Sequence, residues 1–168
     1  LLPALFAVSP EPFAAVTLLL IVAACWEWGR LNQMGSLPAL GVGLAVGIGL
    51  AGGWWGQALS DVIDPSWERA LWLLVSTSWV LGSAALVRSG VSAWVPLARS
   101  FRLVLGWLLL AATWWAMARA CTLGVNVLLS MMVLVWAADV AAYFGGRAWG
   151  KRKLAAAISP GKTWAGAW

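Results

Sequence analysis

Five long apolar runs, parted by short charged joints, constrain this chain more than any other feature. They lie at about Phe13–Trp28, Leu37–Gly56, Ala70–Val87, Leu103–Ala118 and Leu123–Phe144. Each is near the roughly 17–25 residues that a helix needs to cross hydrocarbon. Lipid offers no water to backbone N–H and C=O groups, so uninterrupted helices are the state open to such runs. The expected fold is all-α, a polytopic transmembrane helix bundle of about five full spans plus a partial first helix at Leu1–Val8. That apolar lead has no basic n-region, so it is not a signal peptide. The start at Leu1 and the stop at Trp168 suggest a piece of a longer protein. Residues 1–168 are expected to form a single transmembrane domain, ending in a cytoplasmic basic segment at 145–168.

Composition narrows the function classes. Hydrophobic residues make up 62% of the 168 and charged residues 10%, with a mean hydropathy of +0.86. A chain this short has too much surface to hide that excess in one water-soluble core. There is no His, which removes imidazole as ligand, base or proton shuttle. Cys25 and Cys121 lack the spacing of a zinc site or a redox pair and read as small buried hydrophobes.

The net charge of +5 is sorted by position, which favours a membrane over a nucleic acid as its cause. Arg30 follows the first run; Arg88, Arg99 and Arg102 follow the third; Arg147, Lys151, Arg152, Lys153 and Lys162 follow the fifth. The second joint carries Asp61, Asp64, Glu68 and Arg69, and the fourth only Arg119. Basic joints thus alternate with acidic or nearly neutral ones, which puts the Arg147–Lys162 tail in the cytoplasm. The joint Arg88–Arg102, with Trp94 and Pro96, reads as a positive-inside connector or a segment lying along anionic headgroups. In the second run, Gly43 and Gly47, and Gly49 and Gly53, stand one turn apart, a spacing that lets helices approach closely in lipid. Trp54, Trp55 and Trp67 lie at run ends, where interfacial belts form.

Two acids depart from the sorting. Glu27 stands at the end of the first run with Arg30 on the same helical face, the place for a local ion pair. Asp139 lies well inside the last run, where an ionised carboxylate is costly and faces a bundle interior or a watery cavity. Tyr143 and Arg147 follow it at one-turn intervals. The group is either a structural Asp–Tyr or Asp–Arg contact or a site for substrate and metal. A hard carboxylate oxygen suits Mg²⁺ bridging to phosphate. In the tail, Gly161-Lys162-Thr163 invites a phosphate-loop reading. Ala156 stands where that motif needs Gly, and no strand-forming run precedes it, so the reading is rejected. A Gly- and Pro-containing turn with Lys and Thr still offers amides, a hydroxyl and an ammonium to phosphates. The plainer alternative is a topology determinant or lipid-surface patch.

The residues Trp136-Ala137-Ala138-Asp139, Ala142-Tyr143-Phe144-Gly145-Gly146-Arg147, Gly150-Lys151-Arg152-Lys153-Leu154 and Ser159-Pro160-Gly161-Lys162-Thr163-Trp164 resemble bacterial phosphatidate cytidylyltransferase in order and spacing. Ala24-Cys25-Trp26-Glu27-Trp28-Gly29-Arg30-Leu31 is similar to that family's early segment. The resemblance implies a multi-pass enzyme of the bacterial inner membrane, with its active site on the cytoplasmic side. It implies transfer of CMP from CTP to phosphatidic acid, giving CDP-diacylglycerol and pyrophosphate, with Mg²⁺ required. No nucleic-acid partner is expected, and a homodimer is left open. Asp139 would be catalytic and a metal ligand, and Lys162 catalytic. Tyr143, Arg147, Lys151, Lys153, Ser159, Pro160, Gly161, Lys162 and Thr163 would bind substrate. Ala137 stands where the family often has Gly, and Ala165 where it has Glu or Gln. The family's C-terminal carboxylate-rich signature is absent from these 168 residues and would be expected past Trp168. Most metal ligands are expected there, so these 168 residues alone are expected to be inactive. The other readings are a transporter or channel using Asp139 as an ion or proton site, and a non-catalytic subunit packing through its Gly-rich helix.

Overall fold

The computed structural model describes residues 9–57, 65–89, 97–155 and 159–166. Among these residues there are five α-helices, α1 (Glu11–Leu31), α2 (Ser36–Gln57), α3 (Pro65–Ser89), α4 (Arg99–Thr122) and α5 (Val125–Trp149). All five are long and apolar enough to cross a membrane. A short hairpin follows, β1 (Lys153–Ala155) and β2 (Ser159–Thr163), then a 3-10 turn at Trp164–Gly166. The Leu1–Val8 helix expected from sequence lies outside the described residues, as do Asp61, Asp64, Trp94 and Pro96.

The first four expected spans fall inside α1 to α4, which run on at their polar or charged ends. Headgroup water tolerates charge, so hydropathy fades before the helix does. The fifth differs. Its helix starts at Val125 rather than Leu123, because Gly124 takes φ +119 and breaks the run. It then continues past Phe144 to Trp149.

The chain divides into two compact units, residues 1–122 and 123–168. In the first, α1 packs against both α2 and α4. The expected close approach of α2 is made by half of its glycine stripe. A Cβ at Gly43 would lie 2.9 Å from the Val22 carbonyl, and one at Gly47 would meet the Val22 side chain, whereas Gly49 faces open space. Without a hydrophobic force between helices in lipid, such close contact supplies the packing energy. Cys25 and Cys121 are buried and free.

Tryptophans join α1 to α4. Trp28 Nε1 donates to the Arg102 carbonyl at 3.1 Å, Trp107 Nε1 to Cys25 at 3.2 Å, and Trp114 Nε1 to Ala14 at 3.1 Å. A helical carbonyl keeps a second lone pair after its intrahelical bond. The indoles therefore find acceptors where lipid provides none. Trp54 and Trp67, expected in an interfacial belt, also pack edge-to-face on Trp115 at 5.7 and 6.2 Å.

Contacts between joints test the alternation of sides. Arg99, after the third run, donates from Nε to the Asn32 carbonyl and from Nη2 to that of Gln33, both at 2.8 Å. Glu68, in the first turn of α3, accepts from Arg119 Nε at 2.8 Å and Nη2 at 2.9 Å, and from Trp115 Nε1 at 3.2 Å. The first and third joints therefore share one end of this unit, and the second and fourth the other.

One glycine offers a direct test of the α1–α4 contact. A Cβ at Gly106 would fall on the Trp28 indole at Nε1 and Cε2. Gly106→Ala is expected to expel that ring, break its bond to Arg102 and lower stability by about 2 kcal/mol. The unfolding midpoint in mixed detergent measures it; an unchanged midpoint would show that the ring moves freely.

Candidate functional site

The second unit carries every residue singled out for chemistry. Its frame is α5, where Asp139, Tyr143 and Arg147 recur at one-turn intervals. Arg147 Nη1 donates to the Tyr143 hydroxyl at 3.2 Å. Asp139 is solvent- or lipid-exposed in the chain, and among the described residues its carboxylate has no ion pair. The structural alternative, an Asp139–Arg147 or Asp139–Tyr143 contact, is thus not formed; Arg147 reaches Tyr143 instead. A span residue that could be Ala or Leu at no cost is an unpaired carboxylate, about 15 Å from the helix end at 1.5 Å per residue.

The tail returns to the end of this helix. The Gly150 amide closes α5 on the Gly146 carbonyl at 3.0 Å. Strands β1 and β2 pair antiparallel, with Lys153 opposite Thr163 and Ala155 opposite Ser159 across a register shift. The Trp164 amide donates to the Arg152 carbonyl at 3.0 Å, and the Arg152 guanidinium lies 5.9 Å over the Trp164 ring. A short strand therefore does precede the Gly161-Lys162-Thr163 sequence, contrary to expectation. That sequence itself lies on β2 and leads into a 3-10 turn, not the loop and α-helix that a phosphate loop requires.

Two glycines at the end of α5, and one in the tail, let the two meet closely. A Cβ at Gly146 would lie 2.9 Å from Thr163 Oγ1; one at Gly150 would overlap the same hydroxyl; one at Gly166 would overlap the Ala142 carbonyl. Thr163 is 5% exposed, and its hydroxyl donates to the Gly146 carbonyl at 3.4 Å. Lys162 and Gly161, its neighbours on β2, are exposed, as are Arg147, Lys151 and Lys153. Ser159 and Pro160 begin the same strand.

At about 100° per residue, Asp139 and Gly146 differ by about 20° around α5. The carboxylate and the docked tail thus lie on one side of the helix. Five cations follow Asp139 in the chain, Arg147, Lys151, Arg152, Lys153 and Lys162, with no further acid. An anion approaching this side meets cations at the helix end and one carboxylate deeper along it.

Sequence reasoning missed the seat itself, Ala142, Gly146 and Gly150, and Gly166 of the tail that rests on it. For the seat the signal was present as small residues one turn apart, the same spacing that was applied to α2. Glu27, the other acid, is exposed on the wall of an apolar groove of about 290 Å³ between α1 and α4, beside Trp28 and Leu110. It forms no ion pair with Arg30 among the described residues. An exposed pair at that spacing gains a few tenths of a kcal/mol, too little to fix two long side chains.

Comparison with known proteins adds family evidence. The sequence pattern of the Cytidylyltransferase family matches residues 1–168. The phosphatidate cytidylyltransferase of Pseudomonas aeruginosa is 34% identical over 146 residues, covering 84% of this chain and 50% of that protein. That of Haemophilus influenzae is 63% identical over 43 residues, 26% of this chain and 15% of that protein. That of Brucella suis is 50% identical over 44 residues, 26% and 16% respectively. The chain spans at most about half the length of these curated relatives. No solved structure matches it.

Proposed function

The chain belongs to the cytidylyltransferase family, and we propose on that premise that the protein of which it forms part transfers CMP from CTP to phosphatidic acid. The products are CDP-diacylglycerol and pyrophosphate. The observation that carries this reading is the unpaired Asp139 carboxylate on the side of α5 that also seats the Lys162-bearing tail. The family membership leaves the transporter reading of Asp139 without support.

In this reading a phosphatidate oxygen attacks the α-phosphorus of CTP. The new P–O bond forms as the bond from the α-phosphorus to the α,β-bridging oxygen breaks, and pyrophosphate carries away that electron pair. Such transfers need alignment and charge neutralisation more than covalent help from the protein. The exposed Lys162 ammonium supplies charge beside the transferring phosphate. Arg147, oriented by its bond to Tyr143, and Lys151 and Lys153 draw the polyanions to the helix end. Gly161 keeps the backbone beside Lys162 free of a side chain, and Ser159 and Pro160 belong to the same segment.

Among the described residues there is no group of three or more metal-ligating side chains. A single carboxylate nonetheless fits Mg²⁺, which is commonly held by one or two carboxylates, waters and substrate phosphates. Asp139 would be that ligand; bound Mg²⁺ would neutralise developing charge on the phosphates. The basic tail supports a site on the cytoplasmic side of the bacterial inner membrane, since Lys and Arg collect on that side.

The test uses the full-length protein with CTP, phosphatidate and Mg²⁺. Lys162→Ala is expected to lower kcat/KM for CDP-diacylglycerol formation by about 10²-fold, the scale of one lost charge-assisted contact in a transition state. Unchanged kinetics for both substrates would remove Lys162 from the site.

A further inference from the structure

We infer that Thr163 and Gly166 are positioning residues, which aim Lys162 by seating the tail in a small-residue groove on α5; the inference rests on the reading of Lys162 given above. Sequence alone places Thr163 beside Lys162 as a further phosphate ligand. The geometry separates them. Thr163 is 5% exposed and its hydroxyl is turned to the Gly146 carbonyl at 3.4 Å, whereas Lys162 is exposed.

The reason is the pleat of β2. Successive side chains on a strand point to opposite faces. Burying Thr163 against α5 therefore forces Lys162 outward. A slip of one residue would reverse both, pressing the ammonium into the seat and freeing the hydroxyl. What fixes the register is the shape of the seat. Gly146 and Gly150 leave room for Thr163, and Gly166 lies where any Cβ would collide with the Ala142 carbonyl. The amide of Trp164 holds the strand to Arg152 at 3.0 Å between these two anchors. Arg152, over the Trp164 ring at 5.9 Å, belongs to this clasp. Lys162 thus keeps its place although its own side chain makes no hydrogen bond or ion pair among the described residues.

The experiment is a double-mutant cycle in the full-length enzyme, read alongside amide hydrogen exchange of the hairpin in lipid. Gly166→Ala is expected to lower kcat/KM about tenfold, and less than about twofold when Lys162 is already Ala, because the two act through one group. It is also expected to speed exchange of the Trp164 amide by about tenfold or more. Thr163→Ser, which keeps the hydroxyl, should stay within about threefold of the parent in rate. A full tenfold loss in the Lys162→Ala background would overturn the aiming role. Unchanged exchange in Gly166→Ala would overturn the seat itself. Wild-type rates for Lys162→Ala would instead overturn the reading of Lys162, while exchange still judges the seat.

Discussion

On the proposed function, Asp139→Asn in the full-length protein is expected to cut CDP-diacylglycerol formation by about 10³-fold or more, with the protein still inserted and folded. The amide preserves shape and removes only the negative charge. Within a transmembrane helix the effective dielectric is low, so one charge in contact with a divalent ion weighs far more than in water. The same low dielectric makes the carboxylate costly when unpaired, and among the described residues Asp139 is unpaired. The two effects point in opposite directions. Activity should collapse while the unfolding midpoint stays level or rises, the signature of a group retained for function rather than stability. A variant that kept activity within about threefold would refute the catalytic assignment. Loss of activity together with a lowered midpoint would point to a structural role.

The second large effect is on stability. Trp114→Ala should cost about 3–4 kcal/mol, read as a shift in detergent unfolding of the whole protein. Trp114 is 0% exposed and packs with Ala14, Trp115 and Ala118. Its ring meets Trp54 at 5.8 Å and Trp115 at 6.0 Å, both edge-to-face. Its Nε1 donates to the Ala14 carbonyl, linking α4 to α1. Lipid tails are as apolar as the ring, so the loss comes from the cavity and the broken bond rather than from transfer out of water. Trp114→Phe keeps most of the volume and removes the donor, and should cost about 1 kcal/mol. If Trp114→Ala cost less than that, the cluster would be collapsing around the hole, and the Trp114 link between α1 and α4 would carry little of the stability.

Much of the architecture was legible because it depends on quantities that add along the chain. The bilayer fixes a span length, so the five runs are visible as mean hydropathy alone. Arg99 bonding to Asn32 and Gln33, and Arg119 to Glu68, agree with the sides assigned from the charges of the joints. The start of α5 was misplaced by two residues because Leu123 and Gly124 suit an apolar run. Only the positive φ of Gly124 shows that the helix cannot include it. In the site, Asp139 stood out for being costly where it lies, and Lys162 for its motif. The partner of Arg147 did not: Asp139 and Tyr143 are both at helical spacing from it, and which one it meets is a matter of rotamer and local geometry.

By itself the sequence determined the five helices that, among the described residues, are long and apolar enough to cross a membrane, which joints share a side, and to which family the chain belongs. Those follow from the length of a helix across hydrocarbon and from the order of residue types. The tertiary structure decided which glycines are used: Gly43 and Gly47 but not Gly49 for close approach, Gly106 for the Trp28 ring, and Gly146, Gly150 and Gly166 for the tail. It also decided that Thr163 turns inward and Lys162 outward. These choices depend on register and on contacts between residues distant in sequence, and a shift of one position would reverse them at no change in composition.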